Sequence, residues 1–136
     1  MRIFVDTSAF LAVLNRQDKF HLPSKQAWQE MLTADTQLFT SNYVLLETIA
    51  LLQHRFGIDA VHLFENSIRP VVETLWVDSD IHRLGVAILM VANRRQLSLV
   101  DCVNFELMHQ ANIEKAFTFD PHFSEQGFMV IPEMDR

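Results

Sequence analysis

Short runs rich in β-branched and aromatic residues alternate with longer stretches of helical composition, and that alternation most restricts the fold. The runs are residues 3–5, 37–40, 74–77, 115–119 and 128–131. Strands separated by helices pair in parallel, because a crossover helix returns the chain to the same end of the sheet. The expectation is an α/β fold: a three-layer sandwich around a parallel sheet of about five strands. The first run, Ile3-Phe4-Val5, ends abruptly on Asp6, with Thr7, Ser8 and an apolar helix start behind it. Ligands of open parallel sheets bind at the carboxyl ends of strands, which makes Asp6 a candidate site residue. It also stands where a helix-capping acid would stand, and alone it does not separate the two roles.

Helices are expected over residues 19–32, 41–56, 58–69, 81–95 and 98–112, with Ser41 as an N-cap and Gly57 ending the second. Residues 41–56 are apolar nearly all round, which asks for burial by the domain or by a partner subunit. Glu47 lies in the middle of them, with Tyr43 one turn earlier on the same face. A carboxylate there is costly unless paired, hydrogen-bonded or metal-bound, and an arginine partner at the helix edge would serve as well. On residues 81–95 the inward positions read as Leu84, Ala87, Ile88 and Val91. Asp78 reads as a turn residue. Ser98-Leu99-Val100-Asp101 fits a capping box, which accounts for Asp101 structurally, and Asn104 follows one turn later on its face. Asp120 ends the fourth strand as Asp6 ends the first.

With 136 residues the chain is expected to form one domain, residues 1–136, burying about two-thirds of its unfolded surface. One cysteine, Cys102, cannot form an intrachain disulfide, so a reducing cytoplasm is the expected location. No signal peptide is legible at the start. The longest apolar run, residues 84–92, is far short of the ~20 residues that span a membrane. A net charge of −6 speaks against a simple electrostatic nucleic-acid binder, an objection that weakens if the acids gather around a cation.

If Asp6 and Asp120 end neighbouring strands, their carboxylates start ~5 Å apart. Two bare charges at ~4 Å repel by about 4 kcal/mol at an effective dielectric of 20. Adding Asp101 and Glu47 gives a cluster that stays ionised only around a cation. Oxygen ligands without cysteine or histidine favour Mg²⁺ or Mn²⁺, ions suited to phosphodiester hydrolysis. His122 reads as a turn residue rather than a ligand. There is no HExxH pair, no GxSxG and no glycine-rich phosphate loop. Ser8 stands where a DxDxT phosphatase needs an acid, and Pro121-His122 where a receiver domain needs a lysine.

Ile3-Phe4-Val5-Asp6-Thr7-Ser8-Ala9 resembles the opening of a PIN domain, and residues 41–47 resemble its second motif. Leu97-Ser98-Leu99-Val100-Asp101-Cys102 and Ala116-Phe117-Thr118-Phe119-Asp120 resemble the third and fourth. Order, spacing and length resemble the VapC-like single-domain toxins over the whole chain. The resemblance implies a Mg²⁺- or Mn²⁺-dependent endoribonuclease, commonly a homodimer, inhibited by an antitoxin protein. It maps Asp6, Glu47, Asp101 and Asp120 onto the acidic metal site, with Thr7, Ser8 and Asn104 around them. Val100 departs from the threonine or serine that relatives often carry there. Arg94 and Arg95 lie within ~20 Å of Asp101 by chain reach and are candidate RNA contacts, with Arg16 and Lys19 weaker ones; each could equally be a solvated surface charge. The alternative from another class is a catalytically silent PIN-like module that binds RNA or protein.

Overall fold

A computed structural model describes residues 1–134. The last two residues of the expected 1–136 domain lie outside the described residues. The chain runs β1 (Arg2–Val5), α1 (Thr7–Leu14), α2 (His21–Thr33), β2 (Gln37–Ser41), α3 (Asn42–Phe56) and α4 (Ile58–Leu63). A π turn (Phe64–Ile68) and a 3₁₀ turn (Arg69–Val71) lead to β3 (Glu73–Leu75). Then follow α5 (Ser79–Ala92), α6 (Leu99–Gln110), β4 (Lys115–Phe117), α7 (Pro121–Glu125) and β5 (Met129–Ile131).

The strands form one five-stranded sheet in the order β3-β2-β1-β4-β5, parallel at every pairing. Ile3, Phe4 and Val5 are all fully buried, as are Ala116 and Phe117 of β4. Successive strand residues point to opposite faces, so helices must cover the sheet on both sides. This is the sandwich the alternation calls for. From β1 the chain next adds β2 on one side, while β4 joins from the other, so the order reverses between β1 and β4. A crevice opens at such a reversal, above the carboxyl ends of the strands.

Ser41 caps α3, its Oγ accepting from the Val44 N–H at 3.0 Å. Gly57 ends the helix at φ 89, a left-handed conformation that a residue with a Cβ rarely adopts. Asp78 caps α5 through Ile81 N–H at 2.9 Å, the turn role expected of it.

Of two readings of helix faces, one is narrowed and one needs correction. On α3, Val44, Leu45, Thr48 and Leu52 are buried, but Leu46 is 71% exposed, so the apolar circumference is not wholly enclosed by this chain. On α5, Leu84 and Val91 are not inward but 40% and 87% exposed, and Ala87 is exposed as well. The buried position is Gly85, where an added Cβ would fall 2.5 Å from Val103 Cγ2 of α6. Close approach of two helices needs a residue with no side chain, and a count of large apolar residues passes over it. The helix also stops early, at Asn93 in the left-handed conformation with φ 49, rather than continuing to Arg95. Pro121 and His122, expected in a turn, begin the short helix α7.

Candidate metal centre

Asp6 leaves β1 where the strand meets β4, its N–H donating to Phe117 O at 3.1 Å. It occupies the N-cap position of α1, yet its side chain makes no capping hydrogen bond. The capping role open to it in the sequence is therefore taken only by its backbone carbonyl, which accepts from Ala9 and Phe10. Its Oδ2 instead accepts from Ser8 Oγ at 2.9 Å and from Thr118 Oγ1 at 3.0 Å. Both hydroxyls also accept: Ser8 Oγ from Phe119 N–H and Thr118 Oγ1 from Asp120 N–H, and the two lie 3.3 Å from each other. Thr118 thus ties the first acid to the last. It is fully buried, and the sequence reading did not single it out. A hydroxyl two residues before a strand-ending acid was the available signal.

Asp101 comes from the first turn of α6. The capping box is present: Ser98 Oγ accepts from Asp101 N–H at 3.0 Å and Asp101 Oδ2 from Ser98 N–H at 3.4 Å. The cap pins the carboxylate at the helix start without using it up. Asp120 begins α7, its Oδ1 accepting from His122 N–H at 2.9 Å. With Glu47 of α3, these acids line one open cleft of about 350 Å³, together with Thr7, Ser8, Gln96 and Ser98. All four acids singled out in the sequence reach the same cleft.

Their electrostatics carry the marks of crowding. Burial, followed by the nearby Asp120 charge, raises the Asp6 carboxyl from 3.8 to about 6 against its hydroxyl hydrogen bonds. Asp101 rises to about 7, through burial first and then the charges of Asp120 and Asp6. Burial, and behind it the Asp101 charge, also pushes the Cys102 thiol up, which leaves that cysteine an unreactive helix residue.

Several expected neighbours of the acids hold partners of their own. Asn104 is buried, but its Oδ1 accepts from Ser41 Oγ at 2.9 Å and joins α6 to the start of α3. Thr7 accepts from Thr48 Oγ1 at 3.3 Å, bracing α1 on α3. Tyr43 hydrogen-bonds His82 of α5 rather than Glu47. Arg94 pairs with Glu125 of α7 at 3.1 Å, while Arg95 is exposed. Lys19 lies over the Phe20 ring, its Nζ 4.9 Å from the centroid, and Arg16 edges an apolar hollow with Leu14, Leu52 and Phe56.

His122 does not behave as a bland turn residue. Its side chain is 14% exposed, and its Nδ1 lies 2.9 Å from Asp120 Oδ1 and 3.5 Å from Asp101 Oδ2. One donor atom from each of Asp101, Asp120 and His122 falls within 4.8 Å of the others. Opposite ligands of an ion bound at ~2.1 Å stand about 4 Å apart, so the cluster matches a cation in size as well as in charge. A divalent ion fits this donor set.

Known proteins share the sequence in part and the fold throughout. The chain is 34% identical over 130 residues to the 23S rRNA-specific endonuclease VapC20 of Mycobacterium tuberculosis, covering 95% of this chain and 97% of that protein. The crystal structure of that toxin, described as cleaving the sarcin–ricin loop, superposes with a TM-score of 0.82 over 93% of this chain and 96% of its own. FitAcB from Neisseria gonorrhoeae shares the fold at 19% identity and a TM-score of 0.66, over 94% of this chain and 95% of that one. VapBC2 from Rickettsia felis does so at 11% and 0.70, over 96% and 97%. Residues 3–129 match the PIN domain family, to which this chain belongs.

Proposed function

We propose that the chain is a Mg²⁺- or Mn²⁺-dependent endoribonuclease, the toxin of a toxin–antitoxin pair. The observation that carries the reading is one cleft lined by Asp6, Glu47, Asp101 and Asp120, with Asp6 and Asp101 buried and raised by burial and by neighbouring acids. A folded protein tolerates such a cluster when a cation is to occupy it.

In this reading Asp6, Asp101 and Asp120 hold the ion. Glu47, reaching the cleft from α3, completes the acidic set and orients the attacking water. When bound, the ion polarises the scissile phosphate, lowers the pKa of a water and stabilises the leaving oxygen. Ser8 and Thr118 keep the Asp6 carboxylate in one orientation by donating to the same oxygen. Arg95, exposed on the segment that leads into α6, is placed to meet a phosphate; Arg94 would first have to leave Glu125.

The identity with a 23S rRNA-specific endonuclease makes ribosomal RNA the first substrate to try. The solved VapBC and FitAB assemblies support an antitoxin partner. A homodimer is proposed on the exposed apolar residues Leu46 of α3 and Met90 and Val91 of α5, which are 71%, 74% and 87% exposed. Among the described residues no helix is long and apolar enough to cross a membrane.

The test is incubation of the protein with ribosomal RNA and Mn²⁺, with mapping of the ends produced. Site-specific cleavage is expected from the wild type, and none from Asp6→Asn at equal folded concentration. Undiminished cleavage by Asp6→Asn would sink the reading.

A further inference from the structure

His122 stands two residues after Asp120, on the first turn of α7, and that turn brings its ring against the acids. Its Nδ1 faces Asp120 Oδ1 at 2.9 Å and Asp101 Oδ2 at 3.5 Å. The atom is closed off from solvent, and despite the short distance it has no aligned hydrogen-bond partner among the described residues. An ordinary aspartate–histidine pair would point the ring N–H along the carboxylate lone pair. Here the nitrogen and two carboxylate oxygens converge without an aligned hydrogen bond between them. A buried nitrogen left in that condition is costly, and a shared third partner removes the cost.

We propose that His122 is a direct ligand of the divalent cation through Nδ1, making this a mixed carboxylate–imidazole site that prefers Mn²⁺ to Mg²⁺. The proposal rests on the metal-dependent reading above and names the donor that chooses the ion. Imidazole is a donor for borderline transition ions, whereas Mg²⁺ keeps to oxygen ligands and retains its waters. The carboxylates supply charge that attracts any dication, and they discriminate little between these two. The nitrogen supplies the discrimination. The backbone enforces the placement, since Asp120 accepts from His122 N–H at 2.9 Å and one turn thereby presents both donors on one side.

The experiment has two arms on the full chain. In the first, MnCl₂ and MgCl₂ are titrated calorimetrically into wild type and His122→Ala. The variant is expected to lose roughly tenfold or more in Mn²⁺ affinity, the scale on which even outer partners of metal ligands act. Its Mg²⁺ affinity should change several times less. In the second, pulsed electron paramagnetic resonance on Mn²⁺-loaded wild type looks for coupling to a directly bound nitrogen. Coupling is expected in the wild type and not in His122→Ala, which separates this ring from the five other histidines. The wild-type spectrum by itself can overturn the proposal, whether or not the variant folds. Mn²⁺ bound without nitrogen coupling, or with equal affinity in a folded His122→Ala, overturns the proposal and leaves the carboxylate site standing. A wild type that binds neither ion overturns both.

Discussion

Thr118 joins the two ends of the acidic site through one hydroxyl, which donates to Asp6 and accepts from Asp120 N–H. Thr118→Val keeps the shape and removes these bonds and the contact with Ser8 Oγ, leaving buried groups unsatisfied at a cost of about 1–3 kcal/mol. A lower melting temperature and weaker Mn²⁺ binding are expected, measured by thermal melts and titration. Asp101→Asn has the opposite sign on stability. It removes a charge that burial, Asp120 and Asp6 all disfavour, while an amide oxygen can still accept from Ser98 N–H. The ion-free variant should melt at or above the wild-type temperature at pH 7 and cleave RNA about 10²–10³-fold more slowly, the scale of losing a group that stabilises transition-state charge. The pH dependence follows from the same carboxyls. Asp6 and Asp101 titrate at about 6 and about 7 in the folded protein, against an ordinary 3.8. Between those values the folded state holds more protons than the unfolded chain, so stability falls as pH rises. The penalty is absent below about pH 4 and complete above about pH 7. Without metal, the melting temperature should drop by ~5 °C or more from pH 5 to pH 8, and less in Asp101→Asn. A flat profile would mean that the acids are not crowded as the geometry has them.

At the scale of elements, the close pairing of α5 with α6 is set by Gly85. A Cβ there would sit 2.5 Å from Val103 Cγ2 on α6, and a β-branched side chain in a helix has almost no other rotamer to take. Gly85→Ala gains ~1 kcal/mol of helix propensity and loses typically 1–3 kcal/mol to overpacking. A net drop in melting temperature is expected, partly relieved by Val103→Ala in the double variant. This contact matters to the site because α6 carries Asp101 on its first turn. Pushing α6 outward would move one acid relative to the two held at the sheet, so Gly85→Ala should also weaken Mn²⁺ binding.

At the scale of the molecule, the strand order β3-β2-β1-β4-β5 makes β1 and β4 neighbours and opens the crevice above their ends. A cation at 100 times its Kd adds ~2.7 kcal/mol of stability. Saturating Mn²⁺ should therefore raise the melting temperature by several degrees at pH 7.5, and Asp6→Asn should abolish most of that gain. The amino-acid sequence by itself determined the layer architecture, because short β-branched runs alternating with helical stretches leave few other ways to bury both. It also marked the acids Asp6, Asp101 and Asp120, because strand ends and helix starts are local events written in adjacent residues. Tertiary structure alone decided which side of α5 faces inward, since a glycine contact leaves no hydrophobic signal. It alone joined Asn104, one turn after Asp101 on α6, to Ser41 at the start of α3. It alone set Thr118 against Asp6 and His122 against Asp101, because those two contacts cross between elements far apart in the chain.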